Sequence, residues 1–244
     1  MTDSLQKALA RYSMRCGNTM TLPPKAVLFD MDGILYDSMP GHCVAWKQMC
    51  DENGIDATPE EFLAYEGRTG ASTINILFQR QFGRDAAEEE IKRLYGRKSE
   101  LFKARGKAPV IPGAPEAVKA VLSAGAKPVL VTGSGQASIL ERLDADYPGA
   151  FPAERRVTAH DVRFGKPNPE PFLMGVAKAG VDACYAVGVD NAPLGVQSSS
   201  AAGIFTIGVR TGALPKGSLL AAGADIELSS MEECARLLVS MLGN

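Results

Sequence analysis

Four short, largely apolar runs recur along the chain, the first three ending in polar groups: "AVLFD" (26–30), "PVLVTGS" (128–134), "YAVGVDN" (185–191) and "GIFTIGV" (203–209). A strand with one face in water alternates apolar and polar residues, whereas a strand apolar throughout has both faces covered. Between the runs lie stretches at helical spacing, among them Val118, Val121 and Leu122, and near the end Met231, Cys234, Leu237, Leu238 and Met241. Covered strands alternating with helices predict an α/β fold built on a parallel sheet.

Residues 39–107 break the alternation. Their apolar positions keep helical spacing throughout (Ile74, Leu77, Phe78 and Phe82; Ile91, Leu94 and Tyr95), and no strand-like run interrupts them. The segment follows the first strand at Pro40 and ends at the Pro/Gly-rich "APVIPGAP" (108–115), a boundary of the linker kind. The expected organisation is therefore a core of residues 24–38 and 108–244, a helical cap of residues 39–107 over the strand ends, and an N-terminal tail, 1–23. That tail reads equally as a short amphipathic helix, a frayed end or a result of start-site choice, and no function attaches to it.

Composition removes several classes of function. With 26 basic against 28 acidic side chains and a net charge of −2, nothing marks a nucleic-acid or anionic-membrane partner. No apolar run approaches the ~20 residues of a membrane span, and the first residues lack the apolar stretch of a leader. Five scattered cysteines without zinc-type spacing read as reduced thiols, which predicts a cytoplasmic protein.

The polar groups at the run ends carry the chemistry. Asp30 and Asp32 leave the first strand one residue apart, an arrangement that needs a cation, a shared proton or a solvated turn. Thr132, Gly133 and Ser134 follow the second run, Asp190 and Asn191 end the third, and the loop "FGKPNPEPF" (164–172) supplies Lys166. Ligands in open parallel sheets bind beyond the carboxyl ends of the strands. Carboxylates for a hard cation, with hydroxyls and a lysine for an anion, suit magnesium-assisted phosphoryl transfer. A calcium loop is excluded, because the fifth and twelfth positions from Asp30 hold Ile34 and Gly41. Taken singly, Thr132–Gly135 is an ordinary strand-to-helix turn, Lys166 a solvated lysine and Asp190–Asn191 a turn or cap; their order along the chain is what makes the constellation specific.

The sequence "FDMDG", "VTGS", "GKP", "VGVDN" resembles the four motifs of the haloacid dehalogenase superfamily over residues 26–210, and "GILYDSMPGHCVAW" with the helical insert resembles its β-phosphoglucomutase-like subfamily. The resemblance implies a Rossmann-like core, Mg²⁺ and an aspartyl-phosphate intermediate. It implies Asp30 as nucleophile and metal ligand, and Asp32 as proton carrier and, through its carbonyl, a further ligand. Thr132, Gly133, Ser134 and Lys166 would hold the phosphoryl group, and Asp190 and Asn191 would complete the metal site. His42 falls where the mutases carry a cap-hinge histidine, although a lone histidine starting a helix is as often a packing residue. Dehalogenation is disfavoured, since it has no use for Asp32.

Two departures bear on the substrate. The subfamily's mutases end the third catalytic strand in Glu-Asp, where this chain has Asp190-Asn191. In the cap loop "YEGRTGAST" (65–73), the positions at which they grip a distal phosphate hold Glu66 and Gly70, with Arg68 out of register. One reading joins the two: cap closure brings Glu66 to supply the carboxylate that Asn191 lacks, in a cavity suited to pyrophosphate. Glu66 as a helix cap or solvated loop residue is nearly as good a reading. The motifs also look most like a Bacteroides-type branch of the subfamily that acts as an inorganic pyrophosphatase. The leading expectation is a monomeric Mg²⁺-dependent pyrophosphatase; the alternatives are a β-phosphoglucomutase-type isomerase, a small sugar-phosphate or nucleotide phosphatase, and a binding module that has kept the fold.

Overall fold

A computed structural model describes the backbone of residues 3–135 and 137–243, with the side chains of these apart from 137–141. After an N-terminal helix α1 (Asp3–Cys16) comes strand β1 (Ala26–Phe29). The helices α2 (Met39–Glu52), α3 (Pro59–Ala64), α4 (Gly70–Phe82) and α5 (Glu88–Ala104) follow before the chain returns to the sheet. The remainder runs α6 (Ala114–Ser123), β2 (Lys127–Val131), α7 (Ala137–Asp146), β3 (Arg156–Val157), α8 (Glu170–Ala179), β4 (Ala186–Asp190), α9 (Pro193–Ala201), β5 (Phe205–Val209), α10 (Ser218–Ala221), β6 (Ile226–Leu228) and α11 (Met231–Leu242).

The six strands form one parallel sheet in the order β3-β2-β1-β4-β5-β6. The order reverses between β1 and β4, and that switch point is where a crevice opens at the carboxyl ends of the strands. Both faces are apolar, as unbroken runs require. Along β1, Val27 and Phe29 enter the cluster under α6 and α11, while Ala26 and Leu28 enter the opposite one with Phe172 and Val176 of α8. The apolar runs thus become β1, β2, β4 and β5. β3 and β6 are additional: Arg156 of β3 pairs with Leu130 of β2.

Residues 3–16 form an amphipathic helix, with Leu5, Ala8 and Tyr12 buried on one face. Its far end is fastened by Arg15, whose guanidinium donates to the Ser200 and Ile204 carbonyls and to Asp225 at 2.7 Å.

The four helices between β1 and α6 have their own apolar cluster, centred on Trp46, Met49, Ile74, Leu77 and Leu94. Two crossing segments carry the chain to and from them. Tyr36 bridges Val110 in antiparallel fashion, Asp37 N donates to Pro109 O and Ile111 N donates to Leu35 O. Such short paired segments, rather than broad packing, suit a hinge. No described helix is long and apolar enough to cross a membrane.

Candidate active site

The switch point gathers the polar strand ends. Asp30 follows β1 and is 3% exposed; Asp190 closes β4 and is fully buried. Lys166, brought in by the loop before α8, donates to Asp30 Oδ1 at 2.7 Å and to Asp190 Oδ2 at 2.8 Å. Burial opposes a charge on Lys166, yet the two carboxylates outweigh it and hold the ammonium protonated well above its usual range. The Asp30 pKa is pushed up as well, here by burial first: Lys166 offsets part of this, and Asp190 and Asp32 add to it.

Between the two aspartates the chain turns tightly, with Gly33 N donating to Tyr36 O. Gly33 has φ +81, and a Cβ there would lie 2.1 Å from Asn191 Nδ2, so the turn and the approach of Asn191 both demand glycine. Thr132 and Ser134 are buried beyond β2, and Ser134 N donates to Thr132 Oγ1 at 3.0 Å. That bond leaves the threonine hydroxyl hydrogen free to be aimed elsewhere.

Asp32 is held from the cap side. Oδ1 accepts from Ser38 Oγ at 2.5 Å and from His42 Nε2 at 3.1 Å, and His42 Nδ1 accepts from Lys98 Nζ at 2.7 Å. The ammonium can only donate, so it fixes the imidazole with its proton on Nε2, facing Asp32. Burial works against the Asp32 carboxylate, but His42, Ser38 and Lys98 together hold its pKa down at about 2. Ser38 precedes α2 yet does not cap it; its hydroxyl is spent on Asp32.

Sequence reasoning passed over Lys98 and Ser38. Lys98 was recognisable in principle: it occupies the apolar stripe of α5 with Leu94, Leu101 and Phe102, where a charge needs a reason. It lies over the rings of Trp46 and Phe102, and His42 stacks on Phe102 at 3.9 Å. Burial and then Lys98 depress the His42 pKa. In Lys98→Met, which keeps the volume and removes the charge, the His42 pKa is expected to rise, read by NMR titration of the imidazole. The chain has two histidines, so assignment is direct; an unchanged titration would mean that Lys98 does not govern His42.

The cap loop 65–69 reaches the core. Glu66 Oε1 accepts from Asn191 Nδ2 at 2.8 Å, so Glu66 caps no helix and does not point into solvent. Burial raises its pKa to about 8, with Asn191 opposing and Asp30, Asp190 and Asp32 adding. Asn191 Oδ1 is buried with no partner. Arg68 donates from Nη1 to Ser72 Oγ at 3.3 Å, and its Nε is likewise buried without a partner.

Asp30, Asp32, His42, Glu66, Arg68 and Ser134 line one cavity of about 60 Å³ between cap and core. Gly133 lines it too, whereas Thr132, Lys166, Asp190 and Asn191 are not part of its lining. Among the described residues, no three histidine, cysteine or carboxylate side chains group closely enough to enclose a metal by themselves. Asn191 Oδ1 and a main-chain carbonyl are then needed in the shell, and an orphaned amide oxygen beside carboxylates is the donor set of a hard divalent cation.

Comparison with known proteins agrees with this chemistry. A family model described as haloacid dehalogenase-like hydrolase matches residues 24–203. A phosphorylated carbohydrates phosphatase of Thermotoga maritima is 29% identical over 219 residues, covering 89% of this chain and 100% of that protein. Hexitol phosphatase A of Escherichia coli is 30% identical over 212 residues, covering 86% of this chain and 92% of that protein. A Bacteroides vulgatus structure, provisionally described as a beta-phosphoglucomutase, is 45% identical with a TM-score of 0.92 and covers 100% of both chains.

Proposed function

We propose that this chain, which belongs to the haloacid dehalogenase-like hydrolase family, releases orthophosphate from a small phosphorylated substrate, phosphomonoesters of sugars or sugar alcohols being the leading class. The observation that carries this reading is the double ion pair from Lys166 to Asp30 and Asp190 beneath the cavity. A buried carboxylate with one oxygen tied to a lysine has the other free to attack, and the lysine offsets its repulsion from a phosphoryl dianion. The substrate class is supported by the two curated relatives, both named for phosphatase action on phosphorylated carbohydrates or hexitols.

In this reading Asp30 attacks phosphorus. As the Asp30 oxygen–phosphorus bond forms, the bond to the leaving oxygen breaks, and Asp32 gives that oxygen a proton. Water then attacks the aspartyl phosphate, Asp32 takes the water's proton, and Asp30 and orthophosphate are released. Asp32 Oδ1 is occupied by Ser38 and His42, which leaves Oδ2 as the oxygen that carries the proton. His42, Ser38 and Lys98 hold Asp32 ionised before substrate arrives; a phosphoryl dianion beside it raises its proton affinity, so that Asp32 takes up a proton from solvent and can then act as the acid. Thr132, Gly133 and Ser134 orient the phosphoryl oxygens, and Arg68, whose Nε is buried without a partner, lines the same cavity. Mg²⁺ fits the donor set, held by Asp30, the Asp32 carbonyl, Asp190 and Asn191; when bound it supplies charge neutralisation for the phosphoryl oxygens.

A second reading, pyrophosphate as substrate, is favoured by the Glu66–Asn191 contact. Glu66→Ala is expected to lower pyrophosphate hydrolysis by about 10–100-fold, the usual effect of losing a carboxylate that orients a metal site, with a smaller loss on sugar phosphates. Equal losses on both would leave Glu66 as a general support of the cation site, and no loss on either would discard it.

Initial rates of Mg²⁺-dependent phosphate release decide among the substrates, with hexitol and hexose phosphates beside pyrophosphate and a β-glucose 1-phosphate isomerisation assay. Preference for the monoesters supports the leading class, and preference for pyrophosphate supports the second reading. Isomerisation would make the chain a phosphoglucomutase, and inertness toward all would sink the proposal.

A further inference from the structure

The cap loop that carries Glu66 and Arg68 lies against the core at two glycines. A Cβ on Gly133 would sit 2.7 Å from the main-chain oxygens of both Gly67 and Arg68. A Cβ on Gly165 would sit 2.8 Å from Thr69 Cγ2 and 3.3 Å from Thr69 N. The cap's side is close too, though less so: Gly67, at φ +88, would place a Cβ 3.1 Å from Lys166 Cδ. Three consecutive cap residues, 67–69, thus meet the loop after β2 and the loop before α8 with no room for a methyl group. Close packing tolerates no such overlap without movement, and at Gly133 both obstacles are backbone, which moves only as a loop.

We propose that Gly133 and Gly165 form a main-chain seat for the cap loop, a positioning device that sets how deep the closed cavity is and so limits the substrate to compact phosphorylated molecules. The consequence for substrate size rests on the phosphohydrolase reading above; the seat itself does not. Glu66 and Arg68 flank Gly67, so a loop lifted off the seat withdraws both from the cavity at once. Gly133 also borders the cavity, whereas Gly165 does not and so acts through the cap loop alone.

The sole tryptophan, Trp46, lines the cavity from the cap and is 8% exposed, which makes it the reporter. Acrylamide quenching of its fluorescence is measured in the full chain with Mg²⁺ and inorganic phosphate, beside kcat/KM for a three-carbon and a six-carbon phosphate. Gly133→Ala is expected to increase quenching and to lower kcat/KM by about 10²-fold, the effect of an ångström of misplacement, more for the smaller substrate. Gly165→Ala is expected to act in the same direction and less strongly, because its nearest obstacle is a side-chain methyl. Thr69→Ser removes that methyl and keeps the hydroxyl that accepts Ser72 N at 3.2 Å. The double variant Gly165→Ala/Thr69→Ser is therefore expected to recover the quenching and kinetics of Thr69→Ser alone. Unchanged quenching in both glycine variants overturns the seat, and so does a Gly165→Ala effect that Thr69→Ser fails to rescue. If Gly133→Ala does not fold, the Gly165/Thr69 set carries the test. A wild-type chain that releases no phosphate, with the quenching pattern intact, would sink the phosphohydrolase reading and leave the seat standing.

Discussion

Asp30→Asn is expected to abolish phosphate release, by about 10⁴-fold or more as for other nucleophile deletions, without loss of stability. The two halves of this expectation have separate causes. An amide oxygen can still accept from Lys166 Nζ, which donates to Asp30 Oδ1 at 2.7 Å, so the packing around a residue only 3% exposed survives. The substitution also removes a charge whose burial is unfavourable and which Asp190 and Asp32 repel. The melting temperature should stay level or rise slightly at neutral pH, where the wild-type carboxylate is costliest. What disappears is the lone pair that attacks phosphorus. Acid quench after a single turnover, followed by mass analysis, should find a phosphoryl adduct on wild-type Asp30 and none in the variant. Residual activity above about 1% of wild type, beyond the loss expected for a nucleophile, would mean that water attacks phosphorus directly and that Asp30 only positions.

The strands that frame this site were legible because the sheet is covered on both faces. β1, β2, β4 and β5 have no exposed face to interrupt their apolar runs, and their polar ends mark the crevice. β3 and β6 were not legible. One is two residues long and begins with Arg156, and the other places Glu227 between Ile226 and Leu228, so neither leaves a pattern. The amphipathic face of α1 is visible in Leu5, Ala8 and Tyr12, but its docking depends on Arg15 meeting Asp225, 210 positions away. The same limit explains the site. Asp30, Lys166 and Asp190 are legible only together, through their order at successive strand and loop ends. The Asp32–His42–Lys98 chain is not legible, because it exists only once α2 and α5 pack and place Lys98 56 residues from its partner. The Glu66–Asn191 contact spans 125 residues and was foreseeable only as compensation for a missing carboxylate.

Lys166→Met tests the electrostatic core of the site, and its effect should appear in stability as well as in rate. Met matches the length of the lysine stem but leaves Asp30 and Asp190, at 4% and 0% side-chain exposure, with no counter-charge from that side. Breaking a buried pair in this way costs about 3–5 kcal/mol, or roughly 6–20 °C in melting temperature at about 2–4 °C per kcal/mol for a chain of this size. The sign of the pH dependence follows from the carboxylates left behind. Without Lys166 the folded pKa of Asp30, already raised by burial, lies further above its unfolded value, so the folded variant binds more protons than the unfolded chain. Its stability then falls as pH rises, and the gap to wild type should narrow on going from roughly pH 8 to roughly pH 5. Mg²⁺ should stabilise the variant more than the wild type, since a cation then replaces a missing charge instead of adding to one already present. Thermal melts across that pH range, with and without Mg²⁺, read both effects. A loss of stability that neither acid nor Mg²⁺ relieves would show that Lys166 matters here through packing and not through charge. The account of Asp30 as a nucleophile held ready by Lys166 would then fail at its first step.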